Sequence, residues 1–226
     1  MRFKILWFIS IIFLFCSWSF WPRLVGASSV SAQDSKLKAV LEELENKIKN
    51  VYCIKVYFYQ TIYKKGIKDP VSAQGEAWFK RPNFMRWEYK EPEKQLIIAN
   101  GRTVFLWEVR PNQVMVFKRE RFVPGELGKV FFPSVSILEA NFNMKIVEET
   151  KDMVRIKCTP KENIGALKEF EFTVTDHSRF LKDIEFEDVL GTKTKIEFKD
   201  VVINPDLDEG MFQFQVPKDA KVYYQD

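Results

Sequence analysis

Residues 51–63 alternate with the two-residue period of a β-strand, yet both phases of the alternation are apolar. Tyr52, Ile54, Val56, Phe58 and Ile62 share one side, and Cys53, Tyr57, Tyr59 and Tyr63 share the other. A strand that is apolar on both sides is covered on both sides. Segments of strand-type residues follow at 73–80, 84–90, 95–100, 103–109 and 112–118. Asn100-Gly101 is a hairpin signal, and Arg110-Pro111-Asn112 marks the next turn. A further corner falls at Arg81-Pro82-Asn83, because Pro82 fixes its own φ and holds Arg81 extended. Ahead of these strands, residues 34–50 change period. Leu37, Val40, Leu41, Leu44, Ile48 and Val51 recur at three and four and form one apolar stripe, with lysines and glutamates opposite. Asp34 or Ser35 can cap the start of this long helix. The stripe needs a sheet to cover.

The strand pattern breaks between 120 and 140. Pro124-Gly125, Gly128 and Pro133-Ser134 punctuate Leu127, Val130, Phe131, Phe132, Val135, Ile137 and Leu138. This predicts two short helices, at 125–131 and 134–140, the second capped by Ser134. Too short to stand alone, they need an apolar surface to rest on, either as a movable lid or as a permanent plug. A second meander follows at 143–149, 153–159, 167–176, 179–188 and 192–202, with a last apolar strand at 211–216 that carries Phe212 and Phe214. Here the alternation is one-sided: Phe170, Phe172 and Val174 oppose Glu169, Glu171 and Thr173. The expected fold is therefore mainly β with helices (α+β). It is an unclosed antiparallel β-barrel, or curved sheet, of about 11 strands that covers a long N-terminal helix and carries a short helical lid.

The 226 residues suit one domain behind a processed leader. Met1-Arg2-Phe3-Lys4 is a basic start, an apolar run extends to Phe20, and Val30-Ser31-Ala32 suits a signal peptidase. Cleavage is expected after Ala32, with Ala27 as the second choice. That leaves residues 1–32 as a signal peptide and 33–226 as the mature domain. The leader holds Arg2, Lys4 and Arg23 and no acidic residue. Without it the 35 basic residues fall to 32 against 31 acidic ones. A chain so balanced gives no reason for nucleic-acid binding. Cys53 and Cys158 remain, either as a disulfide in an oxidising compartment or as two buried thiols.

With a single histidine, His177, in a turn, neither a His-rich metal site nor a Ser-His-Asp arrangement is expected, and no Gly-rich phosphate loop is present. The acidic residues fall mostly on the solvated phases of strands, so catalysis by a carboxylate pair is not expected either. No metal and no cofactor is anticipated. Phe, Tyr and Trp number 21, 7 and 6. A curved sheet lined by aromatics can enclose an apolar ligand, or it can simply pack as a filled core.

Lys80-Arg81-Pro82-Asn83 followed by Trp87, then Asn100-Gly101-Arg102-Thr103, Asn112-Gln113 and a Phe212-x-Phe214-x-Val216-Pro217 ending, resemble the LolA family. The resemblance runs from about Ser35 to Val222. It implies a non-enzymatic periplasmic carrier that acts as a monomer. Such a carrier takes outer-membrane-directed lipoproteins from an inner-membrane ABC-type releasing complex and passes them to an outer-membrane acceptor. It also implies that Arg81 ties down the lid and that Trp87 lines the acyl-chain cavity, with Trp78, Phe79, Phe84 and Phe105 on the same wall. By position, Leu127, Phe131, Phe132, Val135, Ile137 and Leu138 belong to the lid. A lipid-binding envelope-stress regulator and a carrier of another amphiphile, such as a glycolipid, are the alternatives on the same fold.

Overall fold

The computed structural model describes residues 32–118, 135–163, 165–175 and 181–225. The expected leader up to residue 31, the expected first lid helix with Leu127, Phe131 and Phe132, and His177 lie outside the described residues; Ala32 is the first residue of the helix α1. The chain runs α1 (Ala32–Ile48), β1 (Cys53–Tyr63), β2 (Val71–Lys80), β3 (Phe84–Glu91), β4 (Gln95–Asn100), β5 (Thr103–Glu108) and β6 (Gln113–Lys118). It continues with α2 (Val135–Asn141), β7 (Phe142–Glu149), β8 (Met153–Pro160), β9 (Leu167–Thr175), β10 (Leu181–Asp188), β11 (Lys193–Ile203), a 3-10 turn (Glu209–Phe212) and β12 (Lys221–Gln225).

All twelve strands form one sheet in the order β12-β6-β5-β4-β3-β2-β1-β11-β10-β9-β8-β7. Two antiparallel meanders, β1–β6 and β7–β11, meet along a single seam where β1 pairs with β11 and Phe58 lies opposite Phe198. Cross-strand register carries the apolar phase from β6 across to β7, with Gln60 as a polar member. One row runs Val56, Ala77, Trp87, Ile97, Leu106 and Met115. Another runs Gln60, Ile196, Ile184, Phe172, Ile156 and Ile146. These rows make the inner face, and Leu41, Leu44 and Ile48 of α1 are buried in the same cluster. At its start α1 guards the free edge of β7: Gln33 Nε2 donates to Ile146 O at 3.2 Å, and Lys36 pairs with Glu149 at 2.6 Å.

The outer face is finished differently in the two halves. Under β8–β11 it is a ladder of charges. Arg155 reaches Glu171 at 2.7 Å, Glu185 at 3.4 Å and Asp183 at 3.6 Å, and Lys157 reaches Glu169 at 2.6 Å. Burial works against the charge on Arg155, but the hydrogen bond to Glu171 and the neighbouring carboxylates hold it the more firmly protonated. Under β3–β6 the outer face is apolar and is belted by the C-terminal segment. Asn204, at φ 50°, turns the chain. Its Oδ1 accepts from Tyr52 N at 2.8 Å, and its Nδ2 donates to Asn50 O at 3.0 Å. The belt is then pinned by Lys80–Glu209 at 2.6 Å and by Arg86 Nη1 donating to Met211 O at 3.2 Å. The Phe212 ring, fully buried, lies 5.6 Å from Phe84, and Phe214 lies 5.1 Å from Phe105.

The expectation of a closing strand at 211–216 is corrected here. Asp208 Oδ1 accepts from Gly210 N at 2.8 Å and caps a single 3-10 turn instead. The last strand comes later, and β12 pairs parallel to β6. Cys53 and Cys158 are free thiols, and both are buried. Their strands are separated by β11, β10 and β9. That is roughly 19 Å along the sheet, far beyond disulfide reach.

One glycine sets the packing of the inner face. Gly75 sits opposite Phe58 and Tyr89, and a Cβ there would lie 1.9 Å from Glu88 O and 2.9 Å from Phe58 Cζ. The Phe58 ring, in turn, lies 4.3 Å from Trp87 and 5.1 Å edge-on from Tyr89. Because the nearest obstacle is backbone, it cannot swing aside as a side chain would. Gly75→Ala is therefore expected to destabilise the fold by about 2 kcal/mol or more, read as a lowered urea midpoint with an unchanged slope.

Candidate functional site

Successive strand residues point to opposite faces, and this decides which aromatics can share a wall. Phe79 and Trp87 lie on the inner face and are buried. Their rings are 6.1 Å apart at 77°, an edge-to-face contact. Trp78, Phe84 and Phe105 lie on the outer face, which corrects the expectation that all five line one cavity. Phe84 and Phe105 pack on the C-terminal belt. Trp78 stacks under cations, with Lys55 Nζ 5.6 Å and the Arg86 guanidinium 6.0 Å from its ring. The Ala77/Trp78/Phe79 alternation already carried this information, since neighbours in a strand cannot both face inward.

The inner wall has two aromatic groups. Phe58, Phe79, Trp87 and Tyr89 form the first. The Tyr89 hydroxyl donates to Gln60 Oε1 at 2.7 Å and so satisfies a buried polar pair. Burial pushes the Tyr89 hydroxyl well above its ordinary value, while the Trp87 indole works in the opposite sense. Trp87 Nε1 itself has no acceptor at hydrogen-bond geometry among the described residues. The second group is Phe142, Phe170, Phe172 and Phe186, with Phe170 5.0 Å from Phe142 and 6.0 Å from Phe186. Sequence reasoning did not single out Phe58, Phe142 or Phe186 as wall residues. Their signal was the phase they share with buried neighbours across the sheet.

The cover over this wall comes from helices. Val135 and Leu138 of α2 are buried in the common core, while Ile137 is turned outward at 45% exposure. A cavity of about 140 Å³ remains between α1 and β8–β9, lined by Val40, Leu44, Met153, Val154 and Val174, with Glu43, Lys47 and Glu149 at its rim. Ligand pockets for small molecules run to about 300–1,000 Å³, so this space by itself does not hold a long apolar ligand.

Arg81 stands exposed at the β2–β3 corner, where the Arg81–Pro82 peptide is cis. Its guanidinium donates to Ile48 O, the final carbonyl of α1, at 3.3 Å, and its backbone N–H donates to Tyr52 O at 2.8 Å. Ile48 O also accepts from Val51 N at 3.0 Å, so the cation adds a second bond there and complements the helix dipole. The guanidinium thus ties the covering helix α1 to the sheet corner. Groups of acidic, histidine or cysteine residues able to hold a metal are absent among the described residues. Among them, too, no helix is long and apolar enough to cross a membrane.

Comparison with known proteins bears on what such a wall holds. Residues 49–215 match the family model described as "Outer membrane lipoprotein carrier protein LolA". The outer-membrane lipoprotein carrier protein of Dechloromonas aromatica is 26% identical over 182 residues, covering 80% of this chain and 86% of the relative. That of Halorhodospira halophila is 28% identical over 204 residues, covering 90% and 94%. Among solved structures, an uncharacterized conserved protein of Thermus thermophilus superposes with a TM-score of 0.55 at 10% identity, over 84% of this chain and 99% of the other. MucB superposes with a TM-score of 0.50 at 14% identity, over 83% and 65%. At these identities the structural likeness is one of fold.

The cavity geometry yields a test with two readouts of opposite sign. Leu44→Ala enlarges the space between α1 and β8–β9. It is expected to cost about 3 kcal/mol in urea unfolding. Binding of a solvatochromic apolar dye is expected to strengthen in the same variant.

Proposed function

This chain belongs to the family of outer membrane lipoprotein carrier proteins LolA, and we propose from that premise that it carries lipoproteins by holding their acyl chains against the inner face of the sheet. The observation that carries the proposal is the inner face itself. It is apolar from Met115 to Ile146 across all the intervening strands, yet it is covered in the described residues only by α1 and the short α2. Acyl chains suit such a wall, since each buried methylene returns about 0.8 kcal/mol and asks for no polar partner.

The mechanism is an exchange of covers. Leu41, Leu44 and Ile48 of α1 and Val135 and Leu138 of α2 occupy the wall in the closed arrangement. A buried Leu or Val side chain is worth about 1.5–3 kcal/mol, so acyl chains that displace several of them give back a comparable sum. The two states then lie close enough for loading and release both to proceed. Arg81 sets the balance by tying Ile48, and through it α1, to the corner of the sheet. Trp87, rigid and buried between Phe58 and Phe79, is the floor on which chains would lie. The expected lid residues Leu127, Phe131 and Phe132 join the cover in this proposal.

The route follows from the same premise. We assign residues 1–32 as the export signal and 33–226 as the single mature domain, which acts in the periplasm as a monomer. It loads at an inner-membrane ABC-type releasing complex and delivers to the outer membrane. No covalent step is involved, so the protein is a carrier and not an enzyme.

Two experiments test this. Mass spectrometry of the protein isolated from the periplasm is expected to show copurifying lipoprotein; free glycolipid would reassign the cargo, and an empty protein would count against carriage. Arg81→Leu is expected to bind lipoprotein as the native protein does but to deliver it poorly in a reconstituted transfer assay, because the closed state loses its tie. Normal delivery by that variant would refute the role given to Arg81.

A further inference from the structure

The turns at one end of β1 carry large apolar side chains that nothing among the described residues covers. Tyr63 is 51% exposed, Ile67 in the β1–β2 turn 47%, and Val189 and Leu190 in the β10–β11 turn 64% and 73%. The two turns adjoin. Tyr63 pairs with Lys193, and a Cβ on Gly191 would sit 3.6 Å from Lys65 Cδ. Lys65 and Lys68 are exposed around these tips, as is Lys193, which also lies 3.7 Å from Glu187 and 3.9 Å from Glu185. The nearby acidic groups are largely engaged. Glu187 is paired with Lys168 at 2.6 Å, and Asp188 is buried with its Oδ1 accepting from Leu190 N at 2.9 Å and Thr192 N at 2.8 Å. Asp69 and, in the β8–β9 turn, Glu162 are exposed.

Those last bonds also hold the tip in shape. Val189 N donates to Ala166 O at 2.9 Å, and Gly191 N donates to Asp188 O at 3.0 Å. The tip is already ordered, so little conformational entropy is lost when it meets a partner. A tight turn is normally polar, and nothing in the turn geometry asks for Val-Leu at its apex.

We propose that this end of the sheet is a docking tip for an anionic phospholipid surface. Apolar side chains on an exposed, hydrogen-bonded tip enter the headgroup layer, and the lysines beside them meet lipid phosphates through flexible stems. A protein partner would instead need an apolar hollow with an acidic rim. The tip also fixes an orientation. Phe186 precedes Val189 in the same chain segment and lies on the inner face against Phe170. A bilayer touching Leu190 therefore lies at the end of the second aromatic group, where acyl chains could pass between wall and membrane. Docking requires no cargo; only this last use rests on the carrier function proposed above.

The test is vesicle flotation of the cargo-free protein, recovered after export and processing. It uses phosphatidylcholine vesicles with and without about one-quarter phosphatidylglycerol. The native protein is expected to float with the anionic vesicles and to be released by high salt. Val189→Ser combined with Leu190→Ser is expected to lower partitioning at least about ten-fold. Lys65→Gln and Lys68→Gln are each expected to lower it about five-fold on anionic vesicles. Tyr52→Ser, at the far end of β1 and 64% exposed, is the control for a general apolar effect and is expected to change nothing. Failure of the native protein to float, or equal flotation of the Val189/Leu190 double variant, overturns the proposal. Copurification of lipoprotein is read separately, so loss of docking leaves the carrier function standing, and an empty protein that still docks does the reverse.

Discussion

An apolar face that runs from β6 to β7 and must be kept from water is the constraint behind the rest of the structure. The face arises from period-two alternation held in register across two meanders, so that Val56, Ala77, Trp87, Ile97, Leu106 and Met115 form a single row. Polar groups on it are few: Tyr89 and Gln60 satisfy one another, and the Trp87 indole N–H is buried without an acceptor among the described residues. Covering such a face takes more than one helix's stripe. The helical cover is therefore an added layer whose fit to the sheet is open to competition from any other apolar material. A closed barrel would remove the competition by filling its own interior. An open sheet leaves it in place.

The two outer half-faces show how the same sheet is made safe on its other side. Charges in register, anchored by Arg155, suit a surface that stays wet. Where the outer face is apolar the chain doubles back and lays Phe212 and Phe214 over it. The belt also joins the halves, because it leaves β11 at the seam and ends as β12 on the far edge. Arg86 contributes twice, bonding Glu88 at 3.1 Å within its own strand and the Met211 carbonyl of the belt.

Most of the strand framework was legible in the sequence because alternation is local: the two meanders and their turns fall close to where the apolar phase changes. The faces were legible too, and the grouping of Trp78 with Phe79 went against that phase. Legibility stopped where tertiary structure decides. Phe212 and Phe214 have the pattern of a strand, yet Asp208 caps a turn there and the rings pack on a sheet face instead. The Lys221–Gln225 strand is short, and parallel pairing with β6 depends on a chain path no local pattern shows. The motif around Arg81 pointed to a tie on the lid, whereas the contact described joins Arg81 to Ile48 O, a helix end that the sequence did not set beside that strand corner. Cavity against filled core was beyond composition, since it turns on how the helices seat on the sheet, as in the space of about 140 Å³ beside Leu44.

The seam where β1 meets β11 has a temporal consequence. β1 is made early and finds β2 at once, but its second neighbour is nearly the last strand to be synthesised. Until then one flank of β1 offers an unsatisfied row of backbone donors and acceptors beside a sticky surface. A chain of such high contact order folds slowly and is vulnerable while it waits. Assembly of this protein is therefore a race between the arrival of its own eleventh strand and capture of the half-built sheet by a neighbour, and chaperoning during synthesis and export would matter more for this architecture than its final stability suggests.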